Sequence, residues 1–383
     1  MVERVKFRGV VKDYQWGKPA AGSLIRPLLE GPCPYDRLAE LWFGDHIRGP
    51  GETLDRSTNL HDLISGNPGA FLGRRLQELG YTNLPYLFKV LSIDGTFGLS
   101  LQVHPTREMA KRMRALPNSD LADDGEKAEM GVALNDVRLL CGFRPESEVE
   151  RLLPALPRQY RAYLEGKAPV IRFASLLALK PAECGALADE LFAEGVLSAL
   201  PDSLAEVMVR LRTRYGVRDR GLLIVPLLNL VTLRRGEAIF ISPGVLHAYL
   251  EGDLVECMVN SDNVLRAGLT NKHVDVDGVM AATDWSAEPA RSQVVTGPTP
   301  QMNGFVRRKV PCKHFVLDMA DDFSGTAPIP ASEHPQLVIV LSGECDLSES
   351  QLKAGEAVLL PPGTTPGSLI GRGASVCLVS CAL

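Results

Sequence analysis

The sequence predicts a mainly β protein interrupted by one helical segment, and three observations carry that reading. Short apolar runs separated by Gly and Pro fill residues 1–144. Apolar residues at three- and four-residue spacing fill residues 145–222, and strand texture with regular Gly/Pro turns returns from Leu223 onward. A chain of 383 residues has room for two or three domains and a sizeable core. With 45% hydrophobic and 23% charged residues, its composition is that of a globular protein rather than a disordered or fibrous one.

In chain order, Val5-Lys6-Phe7, Leu41-Trp42-Phe43-Gly44 and Tyr86 to Ile93 read as short strands, with a helix expected over Leu60 to Leu79. Glu146 to Leu156, Pro181 to Phe192 and Asp202 to Tyr215 read as amphipathic helices. The nearly apolar run Gly221 to Leu233, broken by Pro226 and Asn229, is too short to span a bilayer; it reads as a strand pair or core helix. The division expected is a β-domain from 1–144 with 223–300, a helical insertion at 145–222, and a C-terminal β-domain at 301–383. For the segment after Leu223, a sandwich or small barrel is the natural solution.

An internal echo refines this. Gly236 to His247 aligns without gaps on Gly355 to Pro366: a turn Gly, an acidic residue, an apolar strand, then a Pro-Gly turn. Such a unit resembles the second motif of cupin β-barrels, where the strand delivers a His into the barrel mouth. The first copy keeps His247 and the second has Pro366 there. The fold class expected is therefore duplicated cupin-like β-barrel (jelly roll) domains plus a helical domain.

Lys+Arg number 41 against 46 Asp+Glu, a net charge of −5, and no basic run suggests nucleic acid as a partner. No membrane segment is expected, and Met-Val-Glu-Arg-Val-Lys at the start has no apolar stretch of a secretory signal behind it, so a cytoplasmic protein is expected. The eight cysteines are scattered without a CxxC pair, which points to buried free thiols rather than a disulfide or zinc-finger framework.

Four pieces could carry chemistry. In Leu99 to Pro105, alternation puts Ser100, Gln102 and His104 on one strand face. Glu129 follows Lys127 across Ala128 after a polar loop, and His247 ends the Pro-Gly turn. Arg266 and Lys272 lie a short way beyond His247. Singly, each fits a bland reading as well: a solvated strand face, a charged loop, a turn histidine, surface charge. Together, two imidazoles, a carboxylate and an amide oxygen form a plausible four-ligand site for Zn²⁺.

These residues carry a resemblance to the type I mannose-6-phosphate isomerase (phosphomannose isomerase) family. The matching stretches run in the family's order from Tyr14-Gln15-Trp16-Gly17 through Ala39 to His46, Leu84 to Leu91, Leu99 to Pro105, Lys127 to Met130 and Cys141-Gly142-Phe143 to the run Pro243–Lys272. The resemblance implies one zinc ion per chain held by Gln102, His104, Glu129 and His247. It implies a catalytic arginine at Arg266 and a sugar-phosphate pocket lined by Trp16, Lys89, Ser100, Lys127, Tyr249, Glu256, Asp262 and Lys272. One departure is His104-Pro105-Thr106-Arg107, where the family usually has His-Pro-Asp-Lys.

The activity implied is aldose–ketose isomerisation between mannose 6-phosphate and fructose 6-phosphate through an enediol, by a chain expected to be a monomer whose only partner is a small sugar phosphate. Glu256, Asp262, Tyr249 and Lys272 are all candidates for the proton-carrying group. The alternatives are another cupin metalloenzyme, such as an iron-dependent oxygenase, and a non-catalytic sugar-phosphate-binding protein.

Overall fold

Two large antiparallel sheets and a helical region account for most of the chain. The computed structural model describes residues 3–116, 119, 121–285, 293–295, 299–300, 304–348, 350–365 and 367–383.

The first sheet is organised by one long strand, His247–Val259. Its second half pairs with Tyr86–Ile93 on one side and Glu129–Ala133 on the other. Glu40–Phe43 and Val10–Lys12 extend the sheet beyond Tyr86–Ile93, and Ala238–Ile241 extends it beyond Glu129–Ala133. Its first half pairs instead with Val137–Phe143, and at His247 with Leu101–Val103, which in turn pairs with Leu265–Gly268.

The second sheet holds the long C-terminal strands Val316–Pro328, Gln336–Leu347 and Ser368–Ser380, with Glu356–Leu360 beside Gln336–Leu347. Beyond Glu356–Leu360 the sheet is extended by early segments of the chain: Val5–Arg8 pairs with Glu356–Leu360, Val5 opposite Leu359, and Glu52–Thr53 pairs with Val5–Arg8 at the edge. The sheets are joined by a shared apolar layer. Phe43, Phe88, Met130 and Cys257 from the first meet Phe315, Leu337, Ile339 and Leu359 from the second. Such a layer is what makes each sheet bury one face.

Helices run from Glu146 into the short helix Gly221–Ile224, the longest of them being Asp202–Tyr215. Tyr160, Phe173, Met208, Leu211 and Ile224 form their core with Leu101, Val103, Leu140, Leu250, Leu265 and Ala267. The insertion therefore covers the back of the strands that carry the candidate site.

Two expectations are refined. The single helix over Leu60 to Leu79 is split into Leu60–Gly66 and Pro68–Glu78, because Asn67 ends the first and its side chain caps the second, with Pro68 at the opening position. The apolar run Gly221 to Leu233 is half helical turn and half strand, with the strand starting at Leu228.

The echo has a structural counterpart. Gly236 and Gly355 adopt φ of +84° and +83°, and Gly244 and Gly363 adopt +88° and +71°. Each copy is thus a strand, Ala238–Ile241 or Glu356–Leu360, between two left-handed turns where Gly avoids the Cβ clash. The copies sit in different sheets. Pro366 lies outside the described residues. No disulfide joins the cysteines among the described residues, and six of the eight are buried. No helix among the described residues is long and apolar enough to cross a membrane.

Candidate active site

Strand alternation sorts side chains between the helical core and a cavity. Leu101 and Val103 face the insertion, so Gln102 between them faces the other way; Leu265 and Ala267 do the same for Arg266, and Leu246, Ala248 and Leu250 for His247 and Tyr249. Register then sets the neighbours. Gln102 lies opposite both His247 and Arg266. Farther along the long strand, Glu256 is opposite Lys89, which is opposite Trp42 on its other side.

At the base of this arrangement His104, Glu129 and His247 converge, with one donor atom from each within 4.8 Å of the others and all three side chains buried. His104 Nδ1 lies 2.6 Å from the Asn263 carbonyl, and His247 Nδ1 lies 2.9 Å from the Val245 carbonyl. A carbonyl only accepts, so both Nδ1 atoms carry the proton and both Nε2 atoms present a lone pair. Those lone pairs face Glu129: His104 Nε2 is 3.3 Å from Oε1, and His247 Nε2 is 3.4 Å from Oε2. Burial, reinforced by the nearby Lys127 ammonium, lowers the His104 pKa to about 4, so it is neutral near pH 7. Burial opposes ionisation of Glu129, but the Lys127 ammonium, with Nζ 2.5 Å from Oε1, outweighs it and holds the carboxyl well below its usual range.

Acceptor therefore meets acceptor at this centre, and Glu129 Oε2 is buried without a hydrogen-bond partner. A cation resolves that conflict, and two imidazoles with a carboxylate are the donor set of a zinc-type site. Gln102 sits beside them with its amide nitrogen 3.4 Å from His247 Nε2 and its oxygen 3.4 Å from Ser100 Oγ. An amide flip would present the oxygen to a metal while Ser100 accepted from the nitrogen.

Above the centre opens a cavity of about 440 Å³. Trp16, Lys89, Ser100, Gln102, Lys127, Glu129, Tyr249, Glu256, Asp262, Arg266 and Lys272 all line it, so the structure brings together every site residue read from the sequence, with His104 and His247 at its floor. Tyr249 has a buried hydroxyl without a hydrogen-bond partner, and burial, then Glu256 and Glu129, push its pKa well above the usual value. The Glu256 carboxyl is pushed up to about 7, first by burial and then by Glu129, with Lys89 opposing from 3.6 Å. Burial disfavours the Lys89 ammonium, but Glu40 and Glu256 overcome this and raise its pKa. Asp262 is tied to Arg48. Burial lowers the pKa of Arg266, and burial followed by Arg266 lowers that of Lys272.

Sequence reading assigned no role to Glu40, Trp42, Arg48 and Arg214, which also line the cavity. Trp42 donates its indole N–H to Glu40 and lies under Lys89, whose Nζ is 4.6 Å from the ring centroid. Both lie in the stretch Ala39 to His46, where alternation with Leu41 is the signal the sequence offers. For Arg48 and Arg214, in a turn and in the helical insertion, local pattern gave none.

The family's usual Asp after His-Pro is replaced by Thr106, which keeps a local role: its hydroxyl caps Arg107–Arg114 by accepting from Met109 N–H. Behind Arg266, the insertion abuts the strand without side chains between. A Cβ on Gly268 would lie 2.5 Å from Gly221 Cα, and one on Gly221 would lie 2.6 Å from Leu269 N.

Fold and site together define a mainly β protein with a helical insertion and a buried His–His–carboxylate centre under a cation-rich cavity, the layout of a metal-dependent enzyme acting on a small anionic molecule. Comparison with known proteins makes this specific. Residues 5–146 match the family profile of the phosphomannose isomerase type I catalytic domain. The mannose-6-phosphate isomerase of Rattus norvegicus is 32% identical over 318 residues, covering 74% of each chain. Mannose-6-phosphate isomerase 1 of Arabidopsis thaliana is 28% identical and covers 94% of this chain and 89% of its own. Among solved structures, a zinc-bound mannose 6-phosphate isomerase superposes over the whole of both chains with a TM-score of 0.86 at 28% identity. The apo form of the Salmonella typhimurium enzyme gives 0.85 at 27%, also over both whole chains. The chain belongs to the mannose-6-phosphate isomerase family. Its fold class is accordingly cupin-type, mainly β with helices.

Proposed function

We propose that this chain is a zinc-dependent aldose–ketose isomerase that interconverts D-mannose 6-phosphate and D-fructose 6-phosphate. The observation that carries the reading is the buried His104–Glu129–His247 centre, in which lone pairs face carboxylate oxygens and one oxygen has no partner. Gln102, His104, Glu129 and His247 would hold one zinc ion per chain. When bound, it supplies a Lewis acid that polarises the sugar carbonyl and stabilises negative charge on its oxygen.

The chain's own residues supply the rest. Moving a proton between adjacent carbons needs a group that holds and releases it near neutrality, and Glu256 fits best: it is buried, lines the cavity and has a pKa raised to about 7. A cation on Glu129 would relieve part of that upward push and leave the part due to burial. Lys89, between Glu40 and Glu256, orients the carboxylate. Asp262 is occupied by Arg48, Tyr249 is held in its protonated form, and Lys272 lies at the exposed rim. Arg266, beside Gln102, is placed to stabilise charge at the reacting end, while Trp16, Ser100 and Lys127 line the sugar's path.

The protein is further proposed to be a cytoplasmic monomer. Its division is proposed as 1–144 with 223–300, 145–222 and 301–383, with Val5–Arg8 lent to the C-terminal sheet. The test is conversion of mannose 6-phosphate to fructose 6-phosphate before chelation, after chelation and after zinc is returned. Loss and recovery are expected; full activity in metal-free protein would refute the reading.

A further inference from the structure

Six cationic side chains line the cavity: Arg48, Lys89, Lys127, Arg214, Arg266 and Lys272. Three have carboxylates within ion-pair distance, Arg48 with Asp262, Lys89 with Glu256 and Glu40, and Lys127 with Glu129. Among the described residues, the other three have none.

Arg214 is the one whose setting demands an explanation. It comes from the last turn of Asp202–Tyr215, in the helical insertion, and not from either sheet. On the same helix, Arg210 pairs with Glu251 at 2.6 Å and Arg212 with Asp189 at 3.3 Å. Arg214 has no such partner among the described residues. Its guanidinium lies on the Phe97 ring, 4.3 Å from the centroid, and its Nε is buried without a hydrogen-bond partner. Stacking fixes the plane of the group and leaves its N–H edge to be used, and a buried donor left unpaired is costly unless a ligand completes it.

The surroundings hold Arg214 in place. Tyr215 donates its hydroxyl to the Phe97 carbonyl at 3.0 Å, fastening the helix end to the ring that Arg214 covers. Asp219, just beyond, accepts from Leu269 N–H at 2.8 Å and Thr270 N–H at 3.0 Å, fastening the same corner to the loop that carries Lys272. Arg266 lies opposite Gln102, toward the metal-binding end, with its charge also felt at Lys272.

We propose that Arg214 binds the phosphate group of the substrate, together with Lys272, so that the helical insertion sets selectivity for phosphorylated over free sugars. This rests on the isomerase reading above and extends it to a residue outside the sheets. A planar guanidinium with a free edge suits two oxygens of a phosphate, and Lys272 adds a point charge at the rim.

The test compares Arg214→Gln and Arg214→Lys with the unaltered zinc enzyme. Three quantities are measured: KM and kcat for mannose 6-phosphate, the affinity for inorganic phosphate by calorimetry, and bound zinc. Arg214→Gln should weaken phosphate binding and raise KM by about ten- to a hundredfold, the worth of hydrogen bonds to a charged partner, with zinc content unchanged. Arg214→Lys should keep a large part of the phosphate affinity. Unchanged phosphate affinity in Arg214→Gln would overturn the proposal. So would equal losses in the two variants, since packing on Phe97 alone does not distinguish them by charge. If the unaltered enzyme fails to convert mannose 6-phosphate, the isomerase reading falls separately, and the calorimetric phosphate affinities still decide the role of Arg214.

Discussion

Replacing Glu129 with Gln tests the centre through stability as well as activity. Lys127 is 4% exposed and Glu129 1%. Glu129 is the carboxylate 2.5 Å from the Lys127 ammonium, and His104 Nε2 lies 3.4 Å from the same ammonium. Removing one partner of a buried pair leaves the other charge uncompensated, at a cost of about 3–5 kcal/mol. Gln keeps an acceptor oxygen of the same shape, so the lower end, about 3 kcal/mol, is expected in metal-free protein. Adding Lys127→Met should recover most of that loss, because it removes the stranded charge. Zinc in hundredfold excess over its Kd should stabilise the unaltered protein by about 2.7 kcal/mol and leave both variants nearly unmoved. The assay is guanidinium chloride unfolding followed by tryptophan fluorescence, with chelator and with zinc, alongside bound metal. If metal-free Glu129→Gln is as stable as the unaltered chain, or if the double variant is no more stable than the single one, the buried-pair argument fails. Full zinc stabilisation in Glu129→Gln would remove Glu129 from the ligand set.

Three other perturbations probe different parts of the structure. Arg266→Ala should keep its zinc and lose most turnover, by about two orders of magnitude if it acts as a preorganised donor to developing charge; a rate near that of the unaltered enzyme would remove the role. Asp45 is buried and its carboxyl is pushed up from 3.8 to about 6, first by burial, against hydrogen bonds from Leu84 N–H and Asn83. A raised folded-state pKa means its stabilising contribution is complete below about pH 4 and is lost as pH rises through about 6, a loss on the order of 3 kcal/mol. Asp45→Asn should therefore flatten the fall in stability over that window, and equal slopes in the two proteins would contradict the assignment. Gly221→Ala places a Cβ 2.6 Å from Leu269 N, so it should cost about 1–3 kcal/mol and lower kcat by shifting the Arg266 strand; unaltered unfolding and kinetics would show that this contact has slack.

What was legible in the sequence follows from how local each signal is. Gln102 could be placed because alternation along Leu99 to Pro105 sends it to the side away from Leu101 and Val103, whereas His247 was marked by its Pro-Gly turn and Arg266 by the family resemblance. The insertion was legible because three- and four-residue spacing is written within each helix. The split at Asn67 was less so: Asn and Pro inside an apolar pattern signal a boundary, but a break between two helices packed on one core leaves the periodicity nearly intact. Arg48 and Arg214 were missed because surface-type arginines in a turn and at a helix end acquire their meaning only from Asp262 and Phe97, both distant in the chain. The glycine contact between Gly221 and Gly268 had no sequence signal beyond the residue type, since close backbone approach is a property of the pair.

The pairing of Val5–Arg8 with Glu356–Leu360 bears on biosynthesis. Arg8 and Glu356 are 348 positions apart, yet they share a ladder and a hydrogen bond. A nascent chain emerging from the ribosome exposes its first strand long before the complementary edge exists, on the order of 20–70 s at about 5–20 residues per second. Until Glu356–Leu360 has been made, that strand has one of its two native partners, Glu52–Thr53, and Phe7 lacks the C-terminal side of its core. The interval is a window for chaperone engagement, and chains truncated before Glu356 would leave one edge of that strand permanently unpaired.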